Sequence, residues 1–293
     1  GACWDKVSTK LGFCSFDVSP QSPIGIFDRT NKNNQFRTYT IVHVMYCSGD
    51  VFVGNSTRPY TDSNRKPYRQ VGLLNAQSAV DWVKSQVKSG LLASTFNELV
   101  VMGCSAGSIG AQLWGNQVLS QLSWKHAAVI PDSYAGVFPK GSMGPLMYDF
   151  GFCQSGFLSA ELYEKCMNQV LELSDIDLEY ARAMPNVPFA FIQSKTDVVQ
   201  MAFYWALAAT TGTPPVLINP TEFYNGVNEI FGSYNAQLPN FVTYLVDGHQ
   251  HCFTPKTVFY EADTKGPEDE GKSTSTQMVY DWVNQYPLEE GSV

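Results

Sequence analysis

"VMGCSAGSIG" (residues 101–110) is where the fold is decided. An apolar, β-branched run ("ELVVM", 98–102) feeds Gly103-Cys104-Ser105-Ala106-Gly107, and a helical pattern with Ile109, Leu113 and Leu119 on one side follows. A strand that turns sharply into a helix needs small residues where the two backbones approach, and Gly-x-Ser-x-Gly supplies them around Ser105. The bland alternative is a glycine-rich turn that contains a serine by chance. The turn alone does not choose between them. A nucleophilic serine also needs a base, an acid that orients the base, and donors for an oxyanion.

Working outward, five short apolar runs read as buried strands: 38–46 ("TYTIVHVMY"), 98–102, 127–130 ("AAVI"), 188–192 ("PFAFI") and 241–246 ("FVTYLV"). Helical patterns separate them. Residues 72–87 set Ala76, Val80, Val83 and Val87 on one face; 107–122 follow the serine turn, 198–209 are nearly all apolar, and 276–285 lie near the end. Strands alternating with helices imply the α/β class, with a mostly parallel central sheet and helices on both faces. The Gly-, Tyr-, Phe- and Met-rich segment 133–186 falls between two such strands and reads as a cap insertion. Segment 261–276 ("EADTKGPEDEGKSTST") reads as a polar surface loop.

At 293 residues, 44% hydrophobic and 16% charged, residues 1–293 are read as one domain with a large core. A formal net charge of -8 without a basic run argues against nucleic acid or an anionic membrane as the main partner. No apolar run has the length of a membrane span. The chain opens at Gly1 without methionine or leader, which reads as a processed or partial chain. None of the seven cysteines forms a C-x-x-C pair, so a zinc site is not expected. Cys3, Cys14, Cys47, Cys153, Cys166 and Cys252 suffice for three bridges in an oxidising compartment, with Cys104 the odd one out. Asn55-Ser56-Thr57 is a glycosylation sequon, a pattern common by chance.

The four histidines narrow the search for a base. His43 sits inside an apolar run, as a core histidine would, and His126 sits at a strand start, away from the chemical end of an open parallel sheet. His249 and His251 follow the last strand at its C-terminal end, so the base is one of these two. Asp197 follows "PFAFIQSKT" and is the leading acid; its bland reading is a helix N-cap. Asp132, after "AAVIP", is the runner-up, and Asp247 lies too close in sequence to reach the imidazole. Ser105, Asp197 and His249 or His251 run in the order Ser…Asp…His, as in α/β-hydrolases. Ala106 offers its N–H at a helix N-terminus, where an oxyanion is stabilised.

These blocks resemble the pectin acetylesterase / Notum family of secreted serine carboxylesterases. "MGCSAGSIG" is similar to the family's G-x-S-A-G-G, with Ser108 in place of the last glycine. "YCSGDVFVGN" (46–55) resembles a block near the family's active site. "QSKTDVVQ" (193–200) puts Asp197 at the acid position and Gln200 at a recurrent glutamine, and "GHQHCF" (248–253) makes His251 the base. "GACW" (1–4) resembles the tail of the oxyanion loop, so Gly1 and Ala2 would supply the second donor and the first core strand would precede Gly1; the bland reading is a frayed terminus. By the same resemblance Cys3 pairs with Cys14 and Cys47 with Cys153, leaving Cys166 with Cys252. Asp50 and Ser133 would border the pocket, with turn chemistry as the bland reading.

The resemblance implies an extracellular, monomeric α/β-hydrolase-like serine esterase without cofactor. It would remove O-acetyl groups from an acylated carbohydrate such as pectin through an acyl-enzyme. Phe138, Met143, Met147, Phe150 and Phe152 leave room for a fatty-acyl alternative, on a protein or lipid, although a satellite core is the preferred reading of them. A non-catalytic carbohydrate-binding relative is the alternative of another class. A thiol mechanism through Cys104 is a third; the expectation there is a buried, unpaired thiol.

Overall fold

A computed structural model describes residues 24–46, 48–61, 67–210, 217–264 and 277–286. The expectations for Gly1, Ala2, Cys3, Cys14, Cys47 and most of the 261–276 loop fall outside these residues. Chain order is β1 (Ser56–Thr61), β2 (Pro67–Gln70), α1 (Gly72–Lys88), β3 (Phe96–Cys104), α2 (Ala106–Gln121), β4 (Trp124–Asp132), α3 (Met143–Phe150), α4 (Ala160–Met167), α5 (Leu173–Ala183), β5 (Phe189–Ser194), α6 (Val198–Thr210), α7 (Pro220–Gln237), β6 (Phe241–Val246) and α8 (Val279–Val283). Two compact units share these elements. One holds 41–94 and 143–172, the other 24–40, 95–142 and 173–286, so the segment expected as a cap contributes α3 and α4 to the first and α5 to the second.

In the first unit β1 and β2 form an antiparallel hairpin. Its hub is Asp50, fully buried, whose carboxylate accepts from Gly72 N (2.8 Å), Ser48 Oγ (2.5 Å) and Phe52 N (3.2 Å). A Cβ at Gly54 or Gly72 would collide with that carboxylate, which explains both glycines. Cys153 is bonded to Cys166, tying the start of the turn after α3 to α4.

The second unit is built on a parallel sheet of order β3-β4-β5-β6. Even-numbered residues of its strands (Ala128, Ile130, Ala190, Ile192, Tyr244, Val246) pack against Ile26, Phe36, Phe253, Phe259, Val279 and Trp282. The opposite face meets helices. A Cβ at Gly115 of α2 would press on Val129, and Phe191 and Phe241 stack with Phe231 of α7 at ring centroids 5.4–5.5 Å apart. Burying such a ring contributes about 1.5–3 kcal/mol. The register levels the strand ends: Cys104 pairs with Asp132, Asp132 with Ile192, and Ser194 with Val246.

The fold is thus the α/β class expected, with four of the five strands in place, but three details differ. Residues 38–46 form no strand, and among the described residues none pairs with them; an apolar β-branched run becomes a strand only beside a partner for its N–H and C=O groups. His43 is accordingly exposed rather than a core histidine. The C-terminal helix covers only Val279–Val283 of the expected 276–285. α7, eighteen residues long, was not foreseen, although Pro220 at its start, the Asn219/Glu222 capping box and Phe223, Val227, Phe231 and Tyr234 on one face all announce it. Among the described residues no helix is long and apolar enough to cross a membrane.

Candidate active site

Ser105 links β3 to α2 with φ 60° and ψ −121°, a conformation that an L-residue adopts only under constraint. The constraint is visible. Ser105 N donates to the Asp132 carbonyl (3.0 Å), and the Ser105 carbonyl accepts from Ser108 N (2.9 Å). A Cβ at Gly103 would strike the Gly107 carbonyl, whereas one at Gly107 would meet open space. The first glycine is therefore the one the turn requires for room. Ala106 is the first residue of α2, so its N–H is unpaired within the helix and carries the positive end of the dipole. Ser108, standing where the resemblance expects glycine, is fully buried inside the second unit.

Asp197 is completely buried and divides its carboxylate. Oδ1 accepts from Val199 N and Gln200 N, both at 3.0 Å, and so caps α6. Oδ2 lies 2.8 Å from His251 Nδ1 and accepts from Gln200 Nε2 at 2.9 Å. One oxygen thus serves as the N-cap of α6 and the other faces the imidazole. Gln200 is itself held: its Nε2 also donates to Gln193 Oε1 (2.9 Å) and its Oε1 accepts from Ala135 N (3.2 Å). A carboxylate on Nδ1 fixes the imidazole tautomer that leaves Nε2 as the acceptor, the state a general base needs.

His251 lies on a loop stitched to the sheet from two sides. From β5, Ser194 Oγ donates to the Gln250 carbonyl (2.6 Å) and Thr196 Oγ1 to the Gly248 carbonyl (2.8 Å). From β4, Asp132 Oδ2 accepts from Phe253 N (2.9 Å), Thr254 N (2.7 Å) and Thr254 Oγ1 (2.7 Å). Ser133 Oγ donates to Asp132 Oδ1 (2.7 Å) and accepts from Cys252 N (2.8 Å). Asp132 is thus committed to the loop rather than to the imidazole; burial without a cation pushes its carboxyl above the usual carboxylate range despite four hydrogen bonds. Asp50 and Ser133, expected to border a pocket, are each fully buried with their side chains bonded to neighbouring chain. His249 is exposed, His126 faces Glu98 near the other end of the sheet, and Asp247 pairs with Lys195.

The cysteines correct the expectation most. Cys104 is no free thiol: it is bonded to Cys252, with Cα atoms 5.6 Å apart. Cys153 pairs with Cys166, so neither the Cys47–Cys153 nor the Cys166–Cys252 pairing holds. The bond joins the last residue of β3 to the loop that follows β6. That signal was in the sequence, since Cys104 precedes Ser105 and Cys252 follows His251. The bond also removes the thiol nucleophile and the two thiolates that the compact group Cys104, His251 and Cys252 would otherwise offer a metal.

A family model described as Pectinacetylesterase matches residues 1–213. Two crystal structures of the Wnt deacylase Notum from Drosophila resemble the fold, with TM-scores of 0.55 and 0.51 at 18% and 17% identity, each covering 90% of this chain and 78% of theirs. No curated protein matches in sequence.

Proposed function

From the premise that this chain belongs to the pectinacetylesterase family, we propose that it is an extracellular serine carboxylesterase that removes O-acetyl groups from an acylated polysaccharide such as pectin. One observation carries the reading: a fully buried aspartate oxygen lies 2.8 Å from His251 Nδ1, on a loop disulfide-bonded to the residue before a strained Ser105. Ser105 Oγ attacks the ester carbonyl and passes its proton to His251 Nε2. Asp197 holds the tautomer and stabilises the imidazolium. The Ala106 N–H, at the first position of α2, donates to the tetrahedral oxyanion. His251 returns the proton to the departing sugar hydroxyl, and water then releases acetate from the acyl-serine. The Cys104–Cys252 and Cys153–Cys166 disulfides suit an oxidising compartment.

A fluorophosphonate probe and a series of p-nitrophenyl esters, run beside acetylated pectin, test this. The expected result is labelling at Ser105, fastest turnover on acetate and release of acetate from the polymer. Folded protein that leaves Ser105 unlabelled overturns the enzyme reading, and turnover that rises with acyl length overturns the acetyl specificity.

A further inference from the structure

We propose that the Cys104–Cys252 disulfide is a positioning strap, setting the separation of the Ser105 elbow and the His251 loop and thereby the rate of turnover. The inference rests on the serine-esterase reading of the same site. It starts from adjacency: the bond joins the residue before Ser105 to the residue after His251. The ring nitrogen of His251 and both sulfurs lie within 4.8 Å of one another, so the bond spans the site at the level of the imidazole.

The backbone shows why a covalent link matters there. Ser105 has φ 60° and Cys252 φ 64°, so both residues next to the strap's ends, or forming them, sit in the left-handed region that non-glycine residues avoid. Such conformations persist only where the surroundings over-determine them. Cys252 is held by three constraints: its N–H is bonded to Ser133 Oγ, its carbonyl accepts from Gln250 Nε2 at 3.1 Å, and its sulfur is bonded to Cys104. With the sulfur released, Cys252 can relax toward negative φ, and the rotation is transmitted through the preceding peptide to His251. A displacement of about 1 Å in a reacting group is enough to slow a reaction about 10²-fold. The other strand-to-loop ties act on neighbouring residues: Asp132 holds Phe253 and Thr254, and Ser194 and Thr196 hold Gln250 and Gly248. Among the described residues the strap is the tie made through a residue adjacent to each of Ser105 and His251.

The test compares the Cys104→Ala/Cys252→Ala protein with a Cys153→Ala/Cys166→Ala control, which loses a disulfide of the other unit. The strapless protein, folded by circular dichroism, should lose kcat about 10²-fold with KM within about twofold, and the low-field proton NMR signal of the His251–Asp197 hydrogen bond should shift or broaden. The control should keep both. A folded strapless protein with wild-type kcat and an unmoved signal overturns the proposal. If the strapless protein does not fold, the control protein is titrated with a dithiol instead. The dithiol is oxidised to its cyclic disulfide while Cys104–Cys252 takes up two electrons and two protons to become two thiols, and aliquots are assayed and then alkylated for mass mapping. Loss of kcat in step with Cys104 and Cys252 labelling, restored on reoxidation, supports the strap; full activity with both labelled overturns it. If the wild-type protein turns over no ester at all, the esterase reading fails, and the NMR signal alone decides the strap.

Discussion

Asp132 lies fully buried at the end of β4 with no cation beside it, accepting hydrogen bonds from Phe253, Thr254 and Ser133. What those donors require is an oxygen, not a charge, and burial favours the neutral acid. Asp132→Asn should therefore keep most of the stability, whereas Asp132→Ala, which strands buried N–H and O–H groups, should lower it by about 3–5 kcal/mol in urea titrations. At Asp197 the outcome reverses. Asn preserves the Oδ1 cap of α6 but turns an amide N–H toward the imidazole, so Asp197→Asn should leave the melting temperature within a few degrees while kcat falls about 10⁴-fold. Ser105→Ala should abolish turnover and leave the fold intact, read by steady-state kinetics and circular dichroism. The pairing of Asp197 with His251 was legible because each follows its own strand, at the same end of the sheet. The supporting shell was not: Ser133 acts through a hydroxyl bonded to a residue 119 positions away, which no local pattern encodes.

At the scale of elements, α5 and α7 meet through a buried polar pair, Tyr234 OH donating to Asp177 Oδ2 at 2.8 Å. Burial pushes the Asp177 carboxyl up to about 7, outweighing the tyrosine's hydrogen bond. The folded chain keeps this proton up to about pH 7, while the unfolded carboxyl, at its ordinary value of 3.8, releases it earlier, so folding becomes less favourable as pH rises between these values. Asp177→Asn removes the ionisation, and melts across pH 4–7 should show a flatter loss of stability; the contribution at stake is about 3–4 kcal/mol. Elements with a strong period were legible at this scale: β3, β4, β5 and β6 lie where apolar runs place them. The run at 38–46 failed because strand formation is decided by a neighbour, whereas α7 carries its own signals in the Asn219/Glu222 capping box and the face Phe223, Val227, Phe231 and Tyr234.

At the scale of the molecule, the two disulfides among the described residues differ in what they restrain. Cys104–Cys252 spans 148 residues and Cys153–Cys166 spans 13. Chain-entropy arguments give about 5 kcal/mol for the first and about 3 kcal/mol for the second. Denaturant midpoints of the two double-alanine proteins should rank accordingly, with the strapless chain the less stable. A ranking in the other order would mean that native-state distortion, rather than the unfolded chain, governs the difference.

The divided carboxylate of Asp197 also bears on how such a protein could drift. Most replacements there forfeit the start of α6 together with the charge on the imidazole, so loss of chemistry is coupled to loss of a helix end. Asparagine is the exception, keeping the helix end while leaving the histidine without its acid. A descendant that keeps the fold without the chemistry has its least obstructed route through that one codon change, and asparagine after the Gln-Ser-Lys-Thr at the end of β5 is the mark by which to find it.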